Sequence, residues 1–540
     1  MMSHMKGFTR VVALVLASTM ALGSGGCGKR SADDASGSAT AAATATFTTK
    51  DVDMSTVAAK SDNDLVVGTQ SDTTTLDPIE AGNSAAVEVL LPTLEQLVRY
   101  DADGNLQPWL AESWEVVDSQ TFKFNLRKGV KFHNGEEMKA SDVVYSFKRA
   151  TGKGAENVAY IMGMVDPDGL EAVDDYTVII RTKVPFGAFV NYMPYIGASI
   201  VSQKAYENNP DASTHPVGTG PYEFVSYTKG EGTKYKAFDD YWGGKPDCDS
   251  LTIKPIPDVT TRYTALETGE IDIATGLTVN EATQIEDNSD LNLSTAATTV
   301  FSTLNFNCEK APFNNKTFRQ AIDYAIDSNG IVDSVFRGTA QYTPGPVTPN
   351  TKYFDSSASD NYDPEKAKEL LKESGADLSK TYEIAVSENK NYIDEATIIQ
   401  QQLADVGVKV EIKQMEYATY NEYITGTDKD MFFSGWGAVG FPDPDNNLYG
   451  PLHSSGIPNN NTTYTDDSKL DSLLDKERSL ADGDEREETC IEAQQYIKDL
   501  TPYITIANPI NIVGYRNYVQ GFRALAPTDQ YFNNVSLKHE

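Results

Sequence analysis

Cysteine is nearly absent: the 540 residues hold four, Cys27, Cys248, Cys308 and Cys490. Apart from Cys27, the three scattered thiols can close at most one disulfide and lack the spacing of a zinc site. Histidine is as scarce, with five (His4, His133, His215, His453, His539). None belongs to an H-E-x-x-H pattern, and His133 and His215 stand in turn-like contexts ("KFHNGE", "STHPVGTG") that suit structural roles. The G-x-S-x-G elbow and the G-x-x-x-x-G-K-[ST] phosphate loop are also missing. No catalytic set is in view, so the chain reads as a non-enzyme without metal or cofactor. Positive charge is short too: 45 Lys and Arg against 78 Asp and Glu, a net charge of −33. That excludes nucleic acid and anionic lipid surfaces, which need a basic face. The longest apolar run, "VVALVLASTMAL", has about 12 residues, short of the ~20 that a spanning helix requires.

What is present begins with an address. Lys6 and Arg10 precede the apolar run, and small residues lead to Cys27. Residues 1–26 have the layout of an export signal. A Cys after "SGG" looks like a bacterial lipoprotein cleavage site, where the thiol takes a diacylglyceryl group. Ser24 stands where that motif usually has an aliphatic residue; an ordinary secretory signal is the alternative. Residues 27–61 are small, polar and without apolar periodicity, and read as a disordered tether. About 34 flexible residues reach roughly 30 Å, which suits a domain held at the outer face of the cytoplasmic membrane. The remaining ~480 residues are too many for one core and imply two or three domains.

Strand and helix patterns alternate along that length. "TYEIAVS", "EATIIQQQLADVG" and "VKVEIK" read as strand, helix, strand, hence a βαβ unit with parallel pairing. "NKTFRQAIDYAID" carries an apolar stripe at helical spacing, and "YDPEKAKELLKESG" opens on Asp363–Pro364 and stops at Gly375. "GPYEFVSYTKGEGTKYKAFDDYW" reads as a hairpin turning at Gly230 to Gly232, and a second hairpin turns at Asp103–Gly104. "DADGN" and "DPDG" echo calcium loops without the terminal Glu, and read as tight turns.

One stretch asks for a ligand: "GWGAVGFPDPDNN", residues 435–447. Its opening fits G-x-G-x-x-G, yet a dinucleotide turn needs a helix next, and Pro442 and Pro444 make a poor opening. Asp443 and Asp445 would repel a phosphate. The glycines fit better where a ligand's backbone approaches closely, with Trp436 as a wall.

Several motifs in order then point to one family. They include "LDPIEAGNSAAVEVLLPTLEQLVRYDADGNLQPWLAESWEV", "FKFNLRKGVKFHNGEEMKASDVVYSFKR", "HPVGTGPYEFVSY", "YWGGKP", "RYTALETGEIDI" and "GWGAVGFPDPDNN". Across nearly the whole mature length the chain resembles the family 5 (oligopeptide, dipeptide and nickel-binding) solute-binding lipoproteins of ABC importers. The resemblance implies a class II periplasmic-binding-protein-like α/β fold: two lobes joined by hinge strands, with an extra domain inserted in lobe I. Lobe I would comprise 62–101, 201–304 and 506–540, the inserted domain 102–200, and lobe II 305–505. The hinge strands would lie near "STLNFN" and "PYITIANPINIV". A monomer would capture a short peptide between the lobes and deliver it to a membrane permease; a nickel complex, sugar or other small solute is the alternative. The ligand backbone would meet Glu80, Ala81, Gly82, Asn83 and Ser84 on one side. Gly435, Trp436, Gly437 and Ala438 would face it on the other. Many relatives place an Asp three residues after this Trp to meet the ligand amine. Here Val439 stands there, and Asp443 is the replacement candidate.

Overall fold

The computed structural model describes residues 47–101, 103–207, 209–436, 441–525 and 530–539. Cys27, Gly437, Ala438 and Val439 lie outside the described residues.

Strand Asp64–Thr69 runs parallel to Ser250–Pro255 and Ile273–Ala274. It is buried on both faces, as parallel strands are. Leu65 and Val67 face one core with Tyr222, Tyr235 and Tyr515, and Val66 faces another with Leu266, Ile285 and Leu293. The hairpin Tyr222–Thr228 and Gly232–Ala237 extends this sheet to its edge. Its turn holds Gly230 and Gly232 at φ of 79° and 106°, where a Cβ would be strained.

The βαβ unit is present in the second lobe. Thr381–Val386 and Lys409–Gln414 pair in parallel and helix Lys390–Asp405 connects them. Met431–Trp436 adds a parallel strand, and Phe301–Phe306 pairs with it antiparallel. Ile384, Met431, Phe433, Ile399 and Leu403 fill the core beneath.

The two lobes share one strand. Tyr503–Arg516 pairs through its first half with Phe301–Phe306 and through its second half with Leu291–Ala297 and Ile273–Ala274. Ile504 and Ile506 belong to the second lobe's core, whereas Val513 and Tyr515 belong to the first.

A separate core lies within residues 97–200, called here the side domain. A four-stranded antiparallel sheet (Ala111–Asp118, Thr121–Leu126, Thr177–Arg181, Glu171–Asp174) covers Phe122, Phe124, Phe147, Ile180 and Phe189. Both presumed calcium echoes are turns. The Asp101 carboxylate accepts the backbone N–H groups of Asp103 and Asn105, and Asp166 caps a short 3-10 helix, Pro167–Gly169.

The tether ends sooner than its composition implies. From Phe47 the chain is docked on the first lobe: Phe47 enters a core, and Thr49 and Lys50 bond to Leu293 and Asn292. The Lys50 ammonium donates to the carbonyls of Ile285, Asn288 and Leu291 at the end of helix Val279–Asp287, where a cation meets unpaired carbonyls. Lys60 pairs with the buried Asp272 at 2.9 Å. The Lys538 ammonium adds bonds to the carbonyls of Met54 and Val57, so the segment is held although it has no periodic apolar face. Cys248, Cys308 and Cys490 are all free thiols. Among the described residues no helix is long and apolar enough to cross a membrane.

Candidate ligand-binding site

The segment from Glu80 to Ser84 sits on the first lobe. Asp77 caps the 3-10 turn Pro78–Glu80 and pairs with Arg149 at 2.7 Å. Asn83 caps helix Ser84–Leu90 by accepting the Ala86 N–H at 3.0 Å. Such caps fix the segment's path. Ala81 is buried, while Glu80, Gly82, Asn83 and Ser84 are exposed. The Asn157 amide of the side domain donates to the Glu80 carbonyl at 2.8 Å.

Gly435 and Trp436 end the strand Met431–Trp436. A Cβ on Gly435 would lie 2.8 Å from the Tyr392 hydroxyl. A side chain here would have to displace that hydroxyl, so the glycine also serves the chain's own packing, a reason the sequence did not suggest. The Trp436 indole N–H donates to the Asn446 carbonyl. A Cβ on Gly450 would meet this indole at 2.5 Å and the Tyr160 hydroxyl at 3.0 Å. Residues 157–160 therefore connect the two segments: Asn157 touches Glu80, and Tyr160 reaches the backbone against which Trp436 packs.

Two expectations about "FPDPDNN" are overturned. A helix does open there, Pro444–Leu452, with Asp443 as its cap and Pro444 in its first turn. Asp before Pro is a favoured helix start. Asp443 is also no free partner for an amine. It is fully buried, and each carboxylate oxygen already has two donors. One oxygen takes Arg486 and the Asp445 N–H; the other takes Arg486 and the Asn191 amide. The carboxylate thus fills the helix N-terminus where a phosphate would have to bind.

This helix start is the centre of a contact between the side domain and the second lobe. The Asn191 amide donates to Asp443 at 2.6 Å, the Tyr192 hydroxyl to Asp445 at 2.8 Å, and the Gly187 N–H to the Arg478 carbonyl at 2.8 Å. Phe441 leaves its own lobe and joins the side-domain core, 5.0 Å from the Tyr192 ring. Behind the contact, Arg478 grips Asp445 with two bonds of 2.7 and 2.9 Å, and Arg486 grips Asp443 at 2.7 and 2.9 Å. Lys352 and Arg486 both hold Asp482 at 2.8 Å. Burial works to raise the Asp445 carboxyl, but the Arg478 guanidinium outweighs it and holds the group below its ordinary value. Burial and the neighbouring Asp445 push Glu477 well above its own, with Arg486 3.2 Å away opposing them. Asp443, Asp445 and Asp482 are thus each paired with a cation from Arg478, Arg486 or Lys352. Unpaired charge would be costly at this depth.

Between the two sides lies a cavity of about 230 Å³. Tyr160, Ile161, Met164, Phe186 and Tyr192 form one wall; Tyr449, Gly450, His453 and Arg478 form most of the other. Sequence reading missed these residues. Arg478 and Arg486 lie on helices Ser468–Ser479 and Asp484–Leu500, and no local pattern ties either to residues 441–445. His133 Nε2 lies 2.9 Å from the Gly220 carbonyl oxygen, and His215 Nδ1 lies 3.0 Å from the Thr214 hydroxyl.

Two α/β lobes that share a strand, with a side domain closing on the second lobe around a cavity, define a solute-binding protein of the two-lobed bacterial type. The comparisons with known proteins agree. The model of the bacterial extracellular solute-binding proteins, family 5 Middle, matches residues 105–459. The chain is 31% identical over 488 residues to the glutathione-binding protein GsiB of Pectobacterium atrosepticum, covering 88% of this chain and 94% of that one. Among solved structures, it is similar to the periplasmic binding protein DppA of Helicobacter pylori in complex with the peptide STSA. That match has a TM-score of 0.73 and 30% identity, over 88% of this chain and 98% of that one. It is also similar to the oligopeptide-binding protein AppA of Bacillus subtilis in complex with a nonapeptide. There the TM-score is 0.71 and the identity 25%, over 89% of this chain and 100% of that one. The chain belongs to family 5 of the bacterial extracellular solute-binding proteins.

Proposed function

We propose that the protein captures short peptides between its lobes and hands them to the permease of an ABC importer. The observation that carries this reading is the cavity closed by Asn191 and Tyr192 on Asp443 and Asp445, in a chain about 30% identical to a glutathione binder and to a peptide-bound DppA. Main-chain hydrogen bonding to an extended ligand gives affinity without reading its sequence. The segment from Glu80 to Ser84 and the strand end at Gly435 and Trp436 supply such contacts, continuing into Gly437 and Ala438. The lobes open and close about Phe301–Phe306 and Tyr503–Arg516, and the domain boundaries follow those given from the sequence, except that residues 47–61 pack on the first lobe. The monomer is anchored by lipid on Cys27 at the outer face of the membrane, and the closed form is what the permease recognises.

Native mass spectrometry of the purified protein, followed by denaturation and identification of what is released, tests the reading. A ladder of short peptides supports it. One defined non-peptide solute or metal complex refutes it. If the protein is isolated empty, a thermal-shift screen of peptide pools decides, because a ligand bound only by the folded state raises Tm; no shift with any pool counts against the proposal.

A further inference from the structure

The cavity's chemistry narrows the ligand, and this step rests on the peptide reading above. We infer that the cavity between side domain and second lobe receives one uncharged ring-bearing side chain of the bound peptide. Size argues first. A dry apolar cavity of about 150 Å³ holds a benzene ring, so about 230 Å³ accepts a phenol or an indole but not a whole tripeptide.

The walls argue second. The rings of Tyr160, Phe186, Tyr192 and Tyr449 line the space, with the thioether of Met164 among them. Aromatic edges and faces, and sulfur beside a ring, favour another ring over an aliphatic chain.

Charge argues third. Both ions in the wall are already satisfied: Arg478 is held by Asp445 through two bonds and lies 3.3 Å over the Tyr449 ring. A Lys or Glu side chain of the ligand would lose its water without finding a free counter-ion among the described lining residues. A polar ring edge is accommodated. His453 stacks on Tyr449 at 4.3 Å and uses its Nδ1 for the Ser455 hydroxyl and N–H. Its Nε2 is buried without an aligned hydrogen bond, although Asp475 lies 3.3 Å away. The exposed Ser455 and Asn460 rim the cavity.

The cavity also couples selection to closure. Tyr160, Phe186 and Tyr192 come from one side, and Tyr449, His453 and Arg478 from the other. A ring in this space is buried only when the two sides meet, so it stabilises the closed form.

The test is calorimetry on the purified protein with tripeptides Xaa-Ala-Ala, Ala-Xaa-Ala and Ala-Ala-Xaa, where Xaa is Trp, Tyr, Phe, Leu, Lys or Ala. At one position, Trp, Tyr or Phe is expected to bind at least tenfold more tightly than Ala, with Lys no better than Ala. Ser455→Trp, which fills the space from its rim, and Tyr160→Ala, which removes a wall, should each collapse that ratio toward one. Equal affinity for every Xaa at every position overturns the inference and leaves the peptide receptor standing. Preference for Lys overturns it too. No binding of any tripeptide, with free tryptophan bound instead, overturns the peptide reading itself. The panel on the unmodified protein decides even if both variants fail to fold.

Discussion

Removing one hydroxyl tests whether the contact between side domain and second lobe is what holds a ligand. In Tyr192→Phe the ring stays in the side-domain core and beside Phe441, and only the bond to Asp445 is lost. Burial and the nearby carboxylates of Asp445 and Asp443 push this hydroxyl well above its ordinary value, so it is a donor throughout the neutral range. A hydrogen bond to a charged group contributes about 1.5 to 3 kcal/mol. Asp445 keeps both bonds from Arg478, which places the loss near the lower end, about 1.5 kcal/mol. That is roughly tenfold in Kd. On the proposed closure of the side domain on the second lobe, the loss should appear as faster dissociation with association little changed. Calorimetry gives Kd and stopped-flow competition gives the rates. Unchanged Kd, or weakening carried only by slower association, would refute the reasoning that these contacts close the site. A weakening that grows across the neutral range would refute the assignment of the hydroxyl as a constant donor.

Gly187→Ala probes the same contact sterically. A Cβ there would lie 1.9 Å from the Leu480 carbonyl oxygen, and overpacking of about 1 to 3 kcal/mol predicts an affinity loss of about fivefold to 150-fold; equal calorimetric affinity would contradict the close approach. Glu395 is buried beside Ser302, which donates to it at 2.5 Å, and burial raises its pKa to about 8. The proton is bound more tightly in the folded state, so the stability it brings is full below the unfolded value near 4.5 and is lost as pH rises through about 8. Glu395→Gln should therefore gain on the parent by about 1.4 kcal/mol per pH unit within that window, and a Tm difference that does not vary with pH would defeat this account. Phe47→Ala should cost about 2 kcal/mol and open residues 47–61 to limited proteolysis; a cleavage pattern identical to the parent's would show that Phe47 is not the anchor.

The parts legible in the sequence are those whose causes are local. The strand–helix–strand over residues 381–414 follows from two short alternations flanking a helical stripe. The hairpin at Gly230 follows from turn chemistry. "FPDPDNN" shows where such reading fails. Two prolines read as breakers, although Asp443 and Pro444 together start a helix. The role of Asp443 depends on Arg486 and Asn191, 43 and 252 residues away, and only the fold brings them together. The tether was misjudged for a related reason. Composition measures average apolarity, and residues 47–61 dock through one buried ring and scattered polar contacts from Thr49, Lys50, Lys60 and Lys538.

The strand Tyr503–Arg516, which completes both lobes, has a consequence for how the chain is made. Synthesis runs from the N-terminus, so this strand emerges after every strand it pairs with. Until it does, Phe301–Phe306 lacks its neighbour in one lobe, and Leu291–Ala297 and Ile273–Ala274 lack theirs in the other. Neither lobe can finish folding ahead of the rest. Both lobes gain their common strand in one step, so the completion of one is tied to the completion of the other.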